Sequence, residues 1–313
     1  MKLHLCRDMA ATYSIVAMDP ESGEMGGAVQ SHFFAAGHAV LWARAGTGVV
    51  ATQSLVNRQF GPDGLNMMAT GVDAQTALAA LLEADDGTAY RQVALLDRRG
   101  NSAAHTGALC IREASHMCDA LVSAQANMML RPGVPEMMMA AFEREPGPLA
   151  ERLVAALCAA EALGGDVRGK QSAAVVVVRA NGSPNVATDE LMNLCVEDHP
   201  APVDELARLV SLHRGYEGLE AGDGAMERGD TPGAARHYAR AHDALGGNPE
   251  ALYWHGIAMI NSGRSEEALD LLRPLFQRAP AWLELTLRLP ASRLATFDAH
   301  TEATLRSWSA ELR

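Results

Sequence analysis

Several polar residues stand among apolar or small neighbours, near the ends of β-type runs, where side chains from different strands can converge on one point. They are Thr12, Ser14, Ser31, His32, Thr52, Gln53, Asn57, His105, Thr106, Gln125, Asn127, Asp166, Arg168, Gln171 and Ser172. Among them, the Asp166/Arg168 pair can brace a loop or read a carboxylate as a bidentate fork. Taken singly, each is more simply a strand residue satisfied by its ladder. No nucleophile elbow, phosphate-binding glycine loop, dinucleotide fingerprint or paired-histidine zinc motif competes with this set. In "VEDHP", Glu197, Asp198 and His199 are adjacent and cannot easily converge on one ion, so an interdomain hinge is expected there and no metal or other cofactor.

The elements that would position these residues are short strands and helices. "YSIVAM" and "GGAVQSHFF", joined by Asp19-Pro20-Glu21-Ser22-Gly23, read as a β-hairpin. "HAVLWARAG" and "GVVATQSLV" read as two further strands, after which Gly61-Pro62-Asp63-Gly64 breaks the pattern and helix follows, with Asp73 capping "VDAQTALAALLEAD". "RQVALLDRRGNSAAHTG" is a second hairpin, and "ALVSAQANMML" another strand. "PGVPEMMMAAFE" and "GPLAERLVAALCAAEALGG" are helical, the second ending at Gly164. In "SAAVVVVRA" the apolar run suits a strand covered on both faces. Strands, helices, strands, helices and a strand predict an α+β domain of packed sheets with helices outside, its Met clusters at 66–68 and 137–139 filling core.

Beyond "VEDHPAPVDEL" the chain is helical in character. Gly222, Gly229, Ala234, Tyr238 and Ala241 recur 34 residues on as Gly256, Gly263, Ala268, Leu272 and Leu275. That period resembles the tetratricopeptide helix-turn-helix repeat, with helices at 202–216 and 284–311 expected to complete the stack.

A net charge of −12 from 26 basic and 38 acidic residues argues against nucleic acid and anionic membranes as partners. Five scattered cysteines without a Cys-x-x-Cys pair fit reduced thiols and a cytoplasmic protein. No membrane span is expected.

The segments "TYSIVAMDPESGEMGGAVQSHFFAAGHAVLWARAGTGVVATQSLVN", "AAHTGALC", "AQANMM" and "GGDVRGKQSAA" together resemble the domain of unknown function 1028 family, whose members are similar in fold to N-terminal nucleophile (Ntn) hydrolases. The resemblance implies an αββα sandwich over residues 12–200, preceded by an extension at 1–11 and followed by a tetratricopeptide-like domain at 201–313. It implies hydrolysis of a small amide, with Thr12 as the nucleophile and its own α-amine as the base. Gln53 and Asn127 are then expected to take part in catalysis as donors. Ser31, His32, His105, Gln125, Asp166, Arg168, Gln171 and Ser172 are expected to bind substrate. Family members begin Met-Thr, whereas here Ala11 precedes Thr12, so the α-nitrogen stays an amide until that bond is cut. The alternative is a non-catalytic binding or scaffold protein whose repeats recruit a protein or peptide partner or join the chain into a homo-oligomer.

Overall fold

The computed structural model describes residues 9–10, 12–183, 188–246 and 248–312. Most of the 1–11 extension, including Cys6, lies outside them. The chain divides into two compact units, Met1–Val210 and Ser211–Arg313.

The first unit is built on two antiparallel sheets. One contains β2 (Thr12–Asp19), β3 (Glu24–Ser31), β8 (Ser115–Asp119), β9 (Val122–Ala126), β10 (Ser172–Arg179) and β11 (Glu190–Val196), in the order β11-β10-β3-β2-β9-β8. The other runs β1-β5-β6-β7, from β1 (Met9–Ala10), β5 (Gly48–Leu55), β6 (Arg91–Asp97) and β7 (Ser102–Thr106), with β4 (Leu41–Arg44) paired to β5. Strand alternation explains the layers. Val16, Met25, Val29, Val49, Ala51, Ala94, Leu96, Ala174, Val176 and Val178 form the core between the sheets. Tyr13, Ile15, Ala28, Ala173, Val175 and Val177 face the opposite way, onto α4 (Val134–Arg144) and α5 (Leu149–Ala162). Val50, Val93 and Leu95 of the second sheet pack against α2 (Phe60–Ala69) and α3 (Ala74–Glu83). The result is the expected α+β sandwich of helices, sheet, sheet and helices.

The valine strand is covered on both faces, and Asp73 caps α3 by accepting from Thr76 N at 2.7 Å. Two local expectations fail. His38-Ala39-Val40, expected to open the strand "HAVLWARAG", instead end α1 (Ala36–Val40), because the Oγ of Ser172 closes the preceding turn, donating to Phe33 O at 2.6 Å and accepting from Ala36 N at 3.0 Å. Gly61 and Pro62 lie inside α2 rather than before it. A Cβ on Gly61 would sit 2.3 Å from the Trp42 indole, so the glycine lets the first turn press onto that ring. The exposed "SHMCD" forms β8, an edge strand with no apolar alternation to announce it.

The second unit is helical. It holds the later part of α6 (Pro202–Glu227), then α7 (Thr231–Ala244), α8 (Glu250–Asn261), α9 (Ser265–Arg278), α10 (Ala281–Arg288) and α11 (Ala299–Glu311). The repeat has a steric basis. A Cβ on Gly222 would meet the Tyr238 ring at 2.7 Å, and one on Gly256 would meet Leu272 at 2.5 Å, so each copy seats a large side chain in a glycine hole. Gly229 and Gly263 turn the chain at φ +75° and +82°. The helix expected at 202–216 is continuous to Glu227, and the one expected at 284–311 is interrupted between α10 and α11. Among the described residues no helix is long and apolar enough to cross a membrane.

His255 of α8 stacks on Tyr238 with ring centroids 4.4 Å apart and planes 19° apart. Burial, and secondarily Arg264, lowers its pKa. The neutral ring's contribution to stability is therefore full above its unfolded pKa of about 6.5 and is lost as pH falls through the lower folded value. Thermal melts are expected to fall more steeply on acidification for the wild type than for His255→Phe, which keeps the stack; equal slopes would refute the coupling.

Candidate functional site

Strand parity aims Thr12, Ser14, Ser31, Gln53, Gln92, Thr106, Gln125 and Asn127 at the space between the sheets, at the end of the sandwich where the apolar core stops. Thr12 is the first residue of β2 and pairs with Ser31 of β3. Its Oγ1 donates to Ser31 Oγ at 3.2 Å. Its carbonyl oxygen accepts from Gln53 Nε2 at 3.2 Å, from Asn127 Nδ2 at 3.3 Å and from Asn127 N at 3.0 Å. Thr12, Ser31 and Gln53 are 0% exposed and Asn127 1%, so the threonine is sealed. β1 contributes to this closure by pairing Met9 with Leu55 and Ala10 with Ser54.

Gln92, which is not among the candidate residues named from the sequence, is the hub. Its Oε1 accepts from Gln53 Nε2 at 2.7 Å and from Asn127 Nδ2 at 3.0 Å. Its Nε2 donates to Thr106 Oγ1 at 2.9 Å and to Ala126 O at 2.9 Å. A signal was present: Gln92 shares its strand face with Ala94 and Leu96, so a primary amide stands where the alternation calls for an apolar side chain. A second branch runs from Gln53 Oε1 to Ser14 Oγ at 2.6 Å, to Gln125 Nε2 at 2.6 Å, and from Gln125 Oε1 to Ser123 Oγ at 3.1 Å. Each buried amide in these chains has partners, which is what makes so polar a cluster tolerable between two sheets.

From Thr106 the chain continues 2.8 Å to His116 Nδ1. Burial, then the neighbouring His105, lowers the His116 pKa and favours its neutral ring. Thr106 and His116 also line a cleft of about 780 Å³ with Arg112, Glu113, Arg131 and Glu136. A hydrogen-bond path therefore links buried Thr12 to an open cleft wall.

The remaining candidates lie apart from this path. Asp166 is a bracket: its Oδ2 accepts from His32 N and Arg168 Nη2, both at 3.0 Å, and its Oδ1 accepts from Arg168 N at 2.9 Å. This joins the end of β3 to the 166–168 loop and occupies the Arg168 guanidinium with an internal partner. Ser172 pairs with Ser31 but spends its hydroxyl on the turn before α1. His105 faces away from the intersheet space, its Nε2 3.0 Å from Thr88 O, and the Gln171 amide donates to Asp198 at 3.1 Å. Among the described residues no group of potential metal ligands includes a residue that touches Thr12.

Comparison with known proteins agrees with these two units. The model of a family of unknown function, DUF1028, matches residues 12–206, and a tetratricopeptide repeat model matches residues 225–286. The crystal structure of protein SPO2555 from Silicibacter pomeroyi, itself assigned to DUF1028, aligns at 31% identity with a TM-score of 0.57. The alignment covers 64% of this chain and 87% of that one. No curated protein matches the chain.

Proposed function

The chain belongs to the family of unknown function DUF1028, and from that membership together with the setting of Thr12 we propose that residues 12–200 are the latent form of an Ntn-type hydrolase of small amides. The observation that carries the reading is the convergence on one residue: Ser31, Gln53 and Asn127, from three separate parts of the chain, all bind Thr12.

Hydrolysis of the Ala11–Thr12 bond leaves a carboxylate on Ala11 and an amine on Thr12. The amine takes the Oγ1 proton while Oγ1 attacks the substrate carbonyl carbon. Collapse of the tetrahedral intermediate breaks the C–N bond, and the Thr12 ammonium returns the proton to the leaving amine. Water then cleaves the Thr12 ester. Gln53 and Asn127 act as positioning residues that hold the Thr12 backbone, and Ser31 orients the hydroxyl. Gln125 supports Gln53 through Ser14. Asp166 and Arg168 brace the end of β3 at His32, and Ser172 holds the turn before α1. The neighbouring cleft supplies room for a small amide.

The test is release. A specific protease site placed so that cleavage leaves Thr12 first should convert inert protein into one that hydrolyses members of a panel of small chromogenic amides, with intact mass recording the new terminus. Full hydrolysis by uncleaved protein would sink the mechanism.

A second reading is favoured by the tetratricopeptide match: the second unit docks a protein segment or a second copy of the chain. Removing residues 211–313 should then abolish partner capture or self-association and leave amide hydrolysis by the released first unit unchanged.

A further inference from the structure

We propose that His38, Cys195 and Glu197 form a zinc-binding site that ties α1 to the end of β11. One ligand atom from each lies within 4.8 Å of the other two. The three come from separate stretches of sequence. Cys195 and Glu197 are two apart along an extended segment and so point the same way. His38 reaches them from the single helical turn of α1. In sequence Glu197 adjoins Asp198 and His199, which cannot easily converge with it on one ion; the fold instead gives it two different partners.

The chemistry of the set is that of zinc. Imidazole, thiolate and carboxylate are its ordinary ligands, at about 2.0–2.3 Å. Tetrahedral coordination at those lengths separates a nitrogen and an oxygen ligand by about 3.3 Å, and His38 Nε2 lies 3.1 Å from Glu197 Oε1. One edge of the tetrahedron is thus already formed. The thiol is held close as well, because a Cβ on Gly37 would lie 3.2 Å from Cys195 Sγ, so the glycine lets the α1 backbone lie directly against the sulfur. His38 and Cys195 also stand in the wall of a cavity of about 260 Å³ that includes Trp42 and Asn193. Three protein ligands leave a fourth position for water, the arrangement of an open zinc site rather than a closed structural one.

On binding, the Cys195 thiol releases its proton to solvent, His38 coordinates through Nε2 as a neutral ring carrying its proton on Nδ1, and no oxidation state changes. The ion then fixes the α1 turn, which Ser172 already holds from the other end, next to the stretch of β3 that carries Ser31.

The full chain, stripped with a chelator and kept reduced, is titrated with Co2+ and then Zn2+. One equivalent of Co2+ should produce a thiolate-to-cobalt charge-transfer band that Zn2+ abolishes, with micromolar or tighter affinity. Cys195→Ser should lose the band, while Cys118→Ser, at an exposed cysteine remote in sequence, should keep it. His38→Ala and Glu197→Gln should weaken Zn2+ binding at least tenfold in competition with a chromophoric chelator. Because His38 is largely exposed, its variant is expected to melt as the stripped wild type does, which keeps the test decisive if Cys195→Ser folds poorly. Absence of the band in wild-type protein, its persistence in Cys195→Ser, or equal Zn2+ affinity in wild type and His38→Ala overturns the site.

Discussion

In protein released at residue 12, Thr12→Ala is expected to hydrolyse amides at least 10³-fold more slowly than the wild type, whereas Thr12→Ser keeps substantial activity. The size follows from the role. Removing the nucleophile leaves only binding and whatever oxyanion stabilisation the surrounding donors supply, so the loss should fall on kcat rather than on KM. Fold damage is separable from loss of chemistry at this position. The side chain makes one hydrogen bond, to Ser31 Oγ, and the three donors to the residue act on its backbone carbonyl. Alanine leaves that carbonyl in place and orphans only part of the Ser31 hydroxyl, at a cost of about 1 kcal/mol. Melting temperature and kcat should therefore part company, measured on the same released samples. Thr12→Ala protein with wild-type turnover would remove Thr12 from the chemistry.

Gly26→Ala should be strongly destabilising to the first unit. Gly26 lies in β3, which is flanked by β2 and β10, and its neighbours in register are Ala17 and Val177. A Cβ there would stand 2.3 Å from the carbonyl oxygen of Val176 and 3.1 Å from the Val177 Cα, both backbone atoms. No rotamer change relieves such a clash, so β3 and β10 must separate at the centre of the sheet. We expect a loss of about 3 kcal/mol or more, which at roughly 2–4 °C per kcal/mol lowers Tm by some 6–12 °C. Gly224→Ala supplies the contrast. It lies inside α6 and would meet only the movable end of Arg228, at 3.3 Å. Alanine there should stabilise the helix by about 0.5–1 kcal/mol. If the two melts change equally, backbone proximity is not what reserves position 26 for glycine.

The parts of the fold that could be read from the chain are those whose pattern is local. The doubly covered valine strand, both hairpins, the Asp73 cap and the glycine-based repeat each bring their cause within a few residues or one repeat length. The parts that could not be read depend on partners far along the chain. α1 forms inside an apolar run because Ser172, remote in sequence, closes its entry turn. β8 lies at the edge of its sheet with largely exposed side chains, and its pairing with β9 leaves no local pattern to announce it. The site divides the same way. Thr12, Ser31, Gln53, Gln125 and Asn127 converge because alternation sends all of them to one face. Arg168 and His105 were polar in the right neighbourhood, but internal partners claim the first and strand parity turns the second away. Gln92 went unread because a lone glutamine at the start of an apolar strand resembles a strand boundary.

The glycine holes of the second unit bear on how this chain can change length. Each hole is filled from within its own unit, Gly222 by Tyr238 and Gly256 by Leu272, with the same spacing in both. Inserting or deleting one whole unit leaves every knob with its hole, whereas an insertion between a glycine and its filler separates the pair. The aromatic in one copy and the aliphatic in the other further show that the hole accepts a substitute shape. Growth by duplication followed by drift of the filler is thus compatible with packing at each step.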